Sequence, residues 1–466
     1  MNSWTHDISA GLFFLDFGWL GLLLIAGTYL RYKVKLFQNY LIPANLIAGV
    51  LGLMIGANGI GLIDLTSERL GTYVYHLLAL LFIALSLRTP QKKVGISSVK
   101  FGLIFISVYL VQAILGLLIA LLLLYTLMPD LFVGIGLLPP LSFGMNPGIA
   151  YSIGENWEQF GFEHGGIVGL TFSAVGFIVA YTLGIWLVRS GIKQGKAAFI
   201  ESGKELPDDV KTGLVLEPKA NGSEKITTSP ENIESLTFHI GLIGFTFIAT
   251  YALVKGMEIG LVSIGAENEV STLWSFHFIF AAIVALGVRK LLDSTNASRV
   301  VDDVTMTRCS NLFMDFMIVA SVAAISMVVV AQYWIPLLTI SIVVTVATWL
   351  LIQILTKNAF DKFAFERFAA IFGNMTGTLQ SALVLLRIVD SGMKSPVSYN
   401  LVYGSGLALV FGFPLLLLIN APVHYFSDVV QGFWMVLFAL IAYLVLISIA
   451  WQYLKKSGNG QSRGSI

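Results

Sequence analysis

Leu131–Glu158 reads LFVGIGLLPPLSFGMNPGIAYSIGENWE, and the fold turns on how this stretch is understood. It sits inside a long apolar sequence, yet it holds Pro139, Pro140 and Pro147, with Gly134, Gly136, Gly144 and Gly148 around them. Each proline removes a backbone donor and clashes with the preceding turn, so a continuous helix does not tolerate this density. In hydrocarbon, irregular backbone survives only where protein or a watery cavity satisfies its polar groups. The stretch therefore reads as a re-entrant hairpin: two half-helices around an unwound tip whose N–H and C=O groups face something small and polar. A kinked core helix with a packing role is the local alternative.

The chain around it has 466 residues, 56% hydrophobic and only 12% charged, with a mean hydropathy of +0.82. Soluble domains carry about 25% charged residues, so this composition belongs to a polytopic membrane protein. A formal net charge of +1 offers no basic surface to nucleic acid. Cys309 is the single cysteine, which excludes an intrachain disulfide and a cysteine-cluster metal site. The opening MNSWTHDISAG lacks a basic n-region, so the first apolar segment is expected to stay as a helix.

A spanning helix needs about 20 apolar residues. Eleven stretches qualify: Ile8–Leu30, Asn39–Ile60, Arg69–Leu87, Ser98–Leu127, Gly161–Val188, Ser235–Lys255, Ser271–Val288, Asn311–Val330, Trp334–Thr356, Ser398–Leu418 and Val429–Trp451. A second interrupted segment runs over Ala364–Val389. Lys and Arg concentrate in cytoplasmic loops. With the N-terminus outside and both interrupted segments turning back on themselves, only Arg69 and Lys255 of the 28 Lys and Arg fall on the outer side. The C-terminus is then cytoplasmic, in a plasma (inner) membrane. Making either interrupted segment a full span would reverse every later loop and spoil the pattern.

The expected fold is all-α, with two inverted five-helix repeats that each carry a re-entrant hairpin, plus one extra C-terminal helix. The first repeat covers 1–190, with its hairpin near 131–158. A cytoplasmic linker of mixed charge covers 191–234. The second, inverted repeat covers 235–419, with its hairpin near 364–389, and 420–466 hold the extra helix and tail. Paired interrupted segments at matching places in inverted halves point to a secondary transporter whose site lies where the tips meet.

At the first tip, Gly144 and Gly148 permit close backbone approach, and Ser142 and Asn146 supply a hydroxyl and an amide. The second tip, Gly373–Ser381, offers Asn374, Thr376, Gly377, Thr378, Gln380 and Ser381 in an otherwise apolar segment. Half-helix N-termini suit a carboxylate, and half-helix C-termini suit Na⁺. Asp315 is a carboxylate inside a spanning segment, costly unless paired or hydrated, and is a candidate cation ligand with Asn311 one turn away and Asn374 on the second hairpin. Asp16 is a weaker version of the same case. His76 and His277 read as neutral packing histidines, Glu155 and Glu158 as solvated, and Arg387 as a snorkelling residue or a partner for a substrate carboxylate. HExxH and GxSxG are absent, and no enzyme is expected.

Tyr40-Leu41-Ile42-Pro43-Ala44 with Ala48-Gly49 resembles the Ile-Pro-x-x-x-Ala-Gly element of the bacterial sodium/glutamate symporter family. His76–Leu87, Gly161-Phe162 and Trp186-Leu187-Val188-Arg189 are similar to further segments of that family, and Asn311 falls where it has an Asn. The resemblance implies Na⁺-coupled uptake of glutamate or a related small carboxylate, Na⁺ as coupling ion with no other cofactor, and a homodimer in the bilayer. The tip departs from the family's Gly-His-Gly pattern, with Asn146 where His is expected, and the second hairpin keeps Gly373 and Gly377 but few other glycines. The alternatives are a transporter of a different small anion or amino acid, H⁺-coupled or uncoupled, and a channel or sensor on the same fold.

Overall fold

A computed structural model describes residues 9–89, 95–200, 208–214, 227, 232–390, 392–426 and 428–461, where the regular secondary structure is entirely helical. In order come α1 (Ala10–Lys33), α2 (Lys35–Asn39), α3 (Ala44–Ile55), α4 (Ser67–Ser86) and α5 (Ile96–Thr126). A 3₁₀ turn (Val133–Leu137) and a π turn (Pro140–Met145) lead to α6 (Pro147–Glu158). α7 (Gly165–Val179) continues through another π turn into α8 (Ile185–Lys193), and α9 (Asp208–Thr212) lies in the expected linker. Then follow α10 (Ser235–Ser263), α11 (Val270–Ser275), α12 (His277–Ser294), α13 (Asp303–Ala323), α14 (Met327–Gln332), α15 (Trp334–Ala359), α16 (Ala364–Met375), α17 (Leu379–Val389), α18 (Val397–Tyr425) and α19 (Val429–Gln461). Of the linker, 201–207, 215–226 and 228–231 lie outside the described residues.

Eight helices among the described residues are long and apolar enough to cross a membrane, as in a multi-pass membrane protein. Three of the eleven expected spans are therefore not long apolar helices. Asn39–Ile60 yields only the 12-residue α3, about 18 Å long. Pro43 is its N-cap, Leu41 before it takes a left-handed φ of 47°, and Gly56 leaves the helix extended. Ser271–Val288 becomes α12, which starts only at His277 and carries Arg289, Lys290 and Asp293. Asn311–Val330 becomes α13, which ends at Ala323 and carries Asp303, Arg308 and Asp315.

Leu131–Glu158 is broken as its prolines demand. Asn146 is extended (φ −170°, ψ 141°), and α6 starts at Pro147, whose missing N–H would be unpaired there in any case. Phe132, at the start of the segment, stacks on Phe162 with centroids 4.7 Å apart and lies 5.8 Å from Trp157, so the two ends of the segment lie side by side. Its inward leg lies against α5 backbone to backbone, since a Cβ on Gly116 would fall 2.1 Å from the Gly136 carbonyl oxygen. Further in, Tyr109 Oη donates to the Gly144 carbonyl at 3.1 Å, which puts the break about halfway along α5. α6 then packs against α7.

The second interrupted segment breaks at Thr376–Thr378, between α16 and α17. α17 folds back so closely that a Cβ on Gly373 would lie 2.7 Å from Ala382 Cα. α15 and α5 run antiparallel, with Lys100 Nζ donating to the Ala359 carbonyl at 2.9 Å at one end of the pair. These packings carry both breaks to the middle of the molecule.

Candidate functional site

The two breaks meet beside α7. A Cβ on Gly176 would lie 2.7 Å from the Thr376 carbonyl oxygen and 3.1 Å from the Phe143 ring, so a glycine is what lets both breaks reach the same point. Gln112 of α5 joins them from another side. Its Nε2 donates to the Met375 carbonyl at 3.1 Å and to Thr348 Oγ1 of α15 at 3.0 Å. A carbonyl only accepts, so the amide nitrogen must face Met375 and the oxygen must face away. That oxygen, Gln112 Oε1, is buried without a partner and lies 3.5 Å from where a Cβ on Gly144 would be.

A second polar group centres on Asp315. Its Oδ1 accepts from Asn45 Nδ2 of α3 at 2.8 Å and from Gln380 Nε2 of α17 at 2.9 Å. Asn45 Nδ2 also lies 3.1 Å from Gln380 Oε1, which closes a ring of three side chains from three helices. Hydrogen bonds to a charged group are worth about 1.5–3 kcal/mol each, so the ring fixes α17 to α3 and α13 firmly. Asn45 Oδ1 is buried and unpartnered. Asn146 Nδ2 points at Met314 Sδ, 3.9 Å away and next to Asp315 in sequence, so the first break approaches the same ring.

The expected site residues divide by what their polar atoms do. Asn146 Oδ1 accepts from Gly148 N at 2.8 Å and so caps α6, while its amide nitrogen stays turned toward α13. Ser142 Oγ donates to the Leu138 carbonyl at 2.8 Å, and Thr376 Oγ1 donates to that of Phe372 at 2.8 Å. Both hydroxyls spend their one hydrogen on their own helices and keep only lone pairs to offer. Gly144 and Gly148 pack against Tyr109 and Leu78, and Gly377 against the Ser381 hydroxyl. Ser381 Oγ pairs with Tyr181 Oη at 2.9 Å, and Thr378 Oγ1 is buried without a partner. Asn374 is buried on α16, whereas Asn311 is exposed on α13. The structure thus joins Gln380 to Asp315, sets the Asn146 amide against the adjacent Met314, and leaves Asn311 exposed.

The backbone of the first break adds an acceptor. Asn146 N donates to the Leu141 carbonyl at 2.9 Å, Pro147 has no N–H, and Gly148 N is taken by Asn146 Oδ1. The Phe143 carbonyl therefore has no donor in the turn that follows it, at the negative end of the inward leg.

Other candidates resolve into structure. Asp16 is paired with Arg69, whose Nε and Nη2 donate to its two oxygens at 2.8 and 3.1 Å, and Tyr73 Oη donates to it at 2.7 Å. His277 is fully buried, its ring nitrogens each 3.0 Å from the Trp274 and Tyr75 carbonyls, and it stacks on the Tyr75 ring. His76 stands edge-on to Tyr75 and Phe247. Glu155 is half-buried, Glu158 is exposed and accepts from Gly166 N, and Arg387 is exposed. Sequence reasoning missed Asn45 and Gln112. Gln112 had a signal, being the one side-chain amide in the 31 residues of α5. Compared with protein-family models, curated proteins and solved structures, the chain matches none.

Proposed function

We propose that the protein is a secondary active transporter that couples Na⁺ to the uptake of glutamate or a related small carboxylate. In this reading the two broken segments are re-entrant hairpins of inverted repeats, the N-terminus is outside, and the substrate binds where the breaks meet. One observation carries the reading: two interrupted helices, 236 residues apart at Gly144 and Gln380, approach Asp315 at a polar centre in which Asn45 and Asn146 are buried and Asp315 and Gln380 half-buried. Amide N–H groups such as Asn146 Nδ2 would hold the carboxylate. Asp315 and the unpartnered Asn45 Oδ1 would hold a cation, since an acidic oxygen beside a carbonyl-type oxygen suits a monovalent ion.

Uptake into proteoliposomes tests this. Radiolabelled glutamate should accumulate against its gradient with external Na⁺ and not with choline; passive flux without ion dependence would mean a channel. Asn146→Asp keeps the α6 cap and puts a negative charge at the tip, so it should raise the half-saturating concentration of an anionic substrate at least tenfold. Asp315→Asn should raise half-saturating Na⁺ more than half-saturating substrate. Unchanged kinetics in both variants would place the site elsewhere.

A further inference from the structure

Gln112 does not stand alone on its side of the breaks. Thr348, to which it donates, shares one face of α15 with Thr345 and Ser341, three and seven residues earlier. That face looks toward α5, because Thr348 reaches Gln112. Ser341 is 5% exposed, Thr345 8% and Gln112 1%, yet Ser341 Oγ, Thr345 Oγ1 and Gln112 Oε1 have no hydrogen-bond partner. Leaving a buried polar atom unpaired costs about 1–3 kcal/mol, so three together ask for an occupant. Gln112 Oε1 is aimed at the Gly144 end of the inward leg, where the Phe143 carbonyl also lacks a local donor. The group is made of neutral oxygens at the negative end of a half-helix, with no acidic side chain among them.

We propose that Gln112 Oε1, Thr345 Oγ1 and the Phe143 carbonyl form a monovalent-cation site separate from Asp315, with Ser341 Oγ, one turn further along α15, lining the approach to it. Neutral carbonyl and hydroxyl oxygens replace the hydration shell of an alkali ion without the charge that a divalent ion would demand. The site deepens the transport reading and rests on it for its purpose. A monoanion entering with one cation is electroneutral. A second cation makes the step carry one net charge, which is worth about 2.3 kcal/mol per 100 mV of membrane potential.

The test is thermal unfolding of the purified full chain in detergent, titrated with NaCl or KCl against choline chloride at constant ionic strength, because a ligand bound to the folded state raises stability by mass action. Wild type should be stabilised by one of the alkali ions. Thr345→Val should raise the half-saturating concentration of one phase at least tenfold without lowering the melting temperature in choline, where removing an unpaired buried hydroxyl stabilises, and Thr345→Ser should restore the phase. Asp315→Asn should keep the phase that Thr345→Val removes, and the double variant should show no cation response. A wild-type response absent for both ions, one that Asp315→Asn alone abolishes, or one that Thr345→Val leaves intact overturns the second site. Failure of glutamate to accumulate while the cation response persists would instead sink the transport reading and leave the cation site standing.

Discussion

Replacing Gly176 by Ala tests the meeting of the two breaks most directly. The added Cβ would lie 2.7 Å from the Thr376 carbonyl oxygen and 3.1 Å from the Phe143 ring. Ordinary contact needs about 3.4 Å or more, so the second break must retreat by about 0.7 Å and the Phe143 ring by about 0.3 Å. Phe143 has rotational freedom in principle, but Thr376 has none to spare. Its N–H donates to the Phe372 carbonyl at 3.1 Å, its hydroxyl donates to the same carbonyl at 2.8 Å, and it is fully buried. Overpacking of this kind costs about 1–3 kcal/mol. If a ligand touches both breaks, the separation should weaken its binding as well, by about tenfold for each 1.4 kcal/mol. Gly244→Ala is the control, because Gly244 lies in α10 with nothing within 4 Å of its Cβ position. There the substitution should be neutral or stabilise by about 0.5–1 kcal/mol through helix propensity. Melting temperature in detergent and half-saturating substrate in proteoliposomes read the two effects. If Gly176→Ala matches Gly244→Ala in both, the breaks do not meet at α7.

Two further substitutions probe the frame around the site. Asp16→Asn removes the charge from a pair in which Asp16 is 3% and Arg69 15% exposed, leaving Arg69 with the exposed Asp64; it should lower stability by about 3 kcal/mol, read as a fall in melting temperature, with substrate affinity unchanged. Trp157→Phe breaks the bond from Nε1 to Asn420 Oδ1, 2.8 Å long and fully buried, which ties α6 to α18. It should cost about 1–3 kcal/mol, and a wild-type melting temperature would show that this bond does not anchor the exit of the first broken segment.

Much of the architecture was legible because it is written in local rules. Three prolines within nine residues forbid a continuous helix, and the extended Asn146 falls directly before the last of them. The two cations that the expected orientation sets outside both have carboxylate partners: Arg69 pairs with Asp16 and Asp64, and Lys255 with Glu258 at 2.8 Å. A cation neutralised by a carboxylate is cheaper to place on either side. What misled was apolar length taken alone. Asn39–Ile60 is apolar enough, but Pro43 and Gly56 bracket a 12-residue helix within it. Ser142 and Thr376 show the same limit in the site. Hydroxyls inside helices often bond the carbonyl four residues back, as both of these do, so their presence at a tip left no donor for an anion.

Gln112 and Asn45 were hidden for a different reason. Their partners are 263, 270 and 335 residues away in sequence, and no periodicity carries that information. They change what the site is made of. With the hydroxyl hydrogens of Ser142 and Thr376 committed, the side-chain donors around the breaks are chiefly the amides of Asn45, Gln112, Asn146 and Gln380, with one carboxylate beside Asn45 and Gln380. An amide can donate to an anion on one side and accept from a cation on the other, so such a centre can serve both ligands without carrying their charges itself. Two of those amides sit on α3 and α5 rather than on the broken segments, and this constrains any motion. Gln380 can leave α3 and α13 only by giving up its bonds to Asp315 and Asn45, at 2.9 and 3.1 Å. The bond to the Asp315 carboxylate is worth about 1.5–3 kcal/mol and the neutral one to Asn45 about 0.5–1.5 kcal/mol, so α17 is tied to α3 and α13 at this point. On the proposed reading, a cation at Asp315 would compete with Gln380 for the same carboxylate and replace what the separation loses. Movement of α17 away from α13 would then be favoured by the ion, and the shared carboxylate would couple the two.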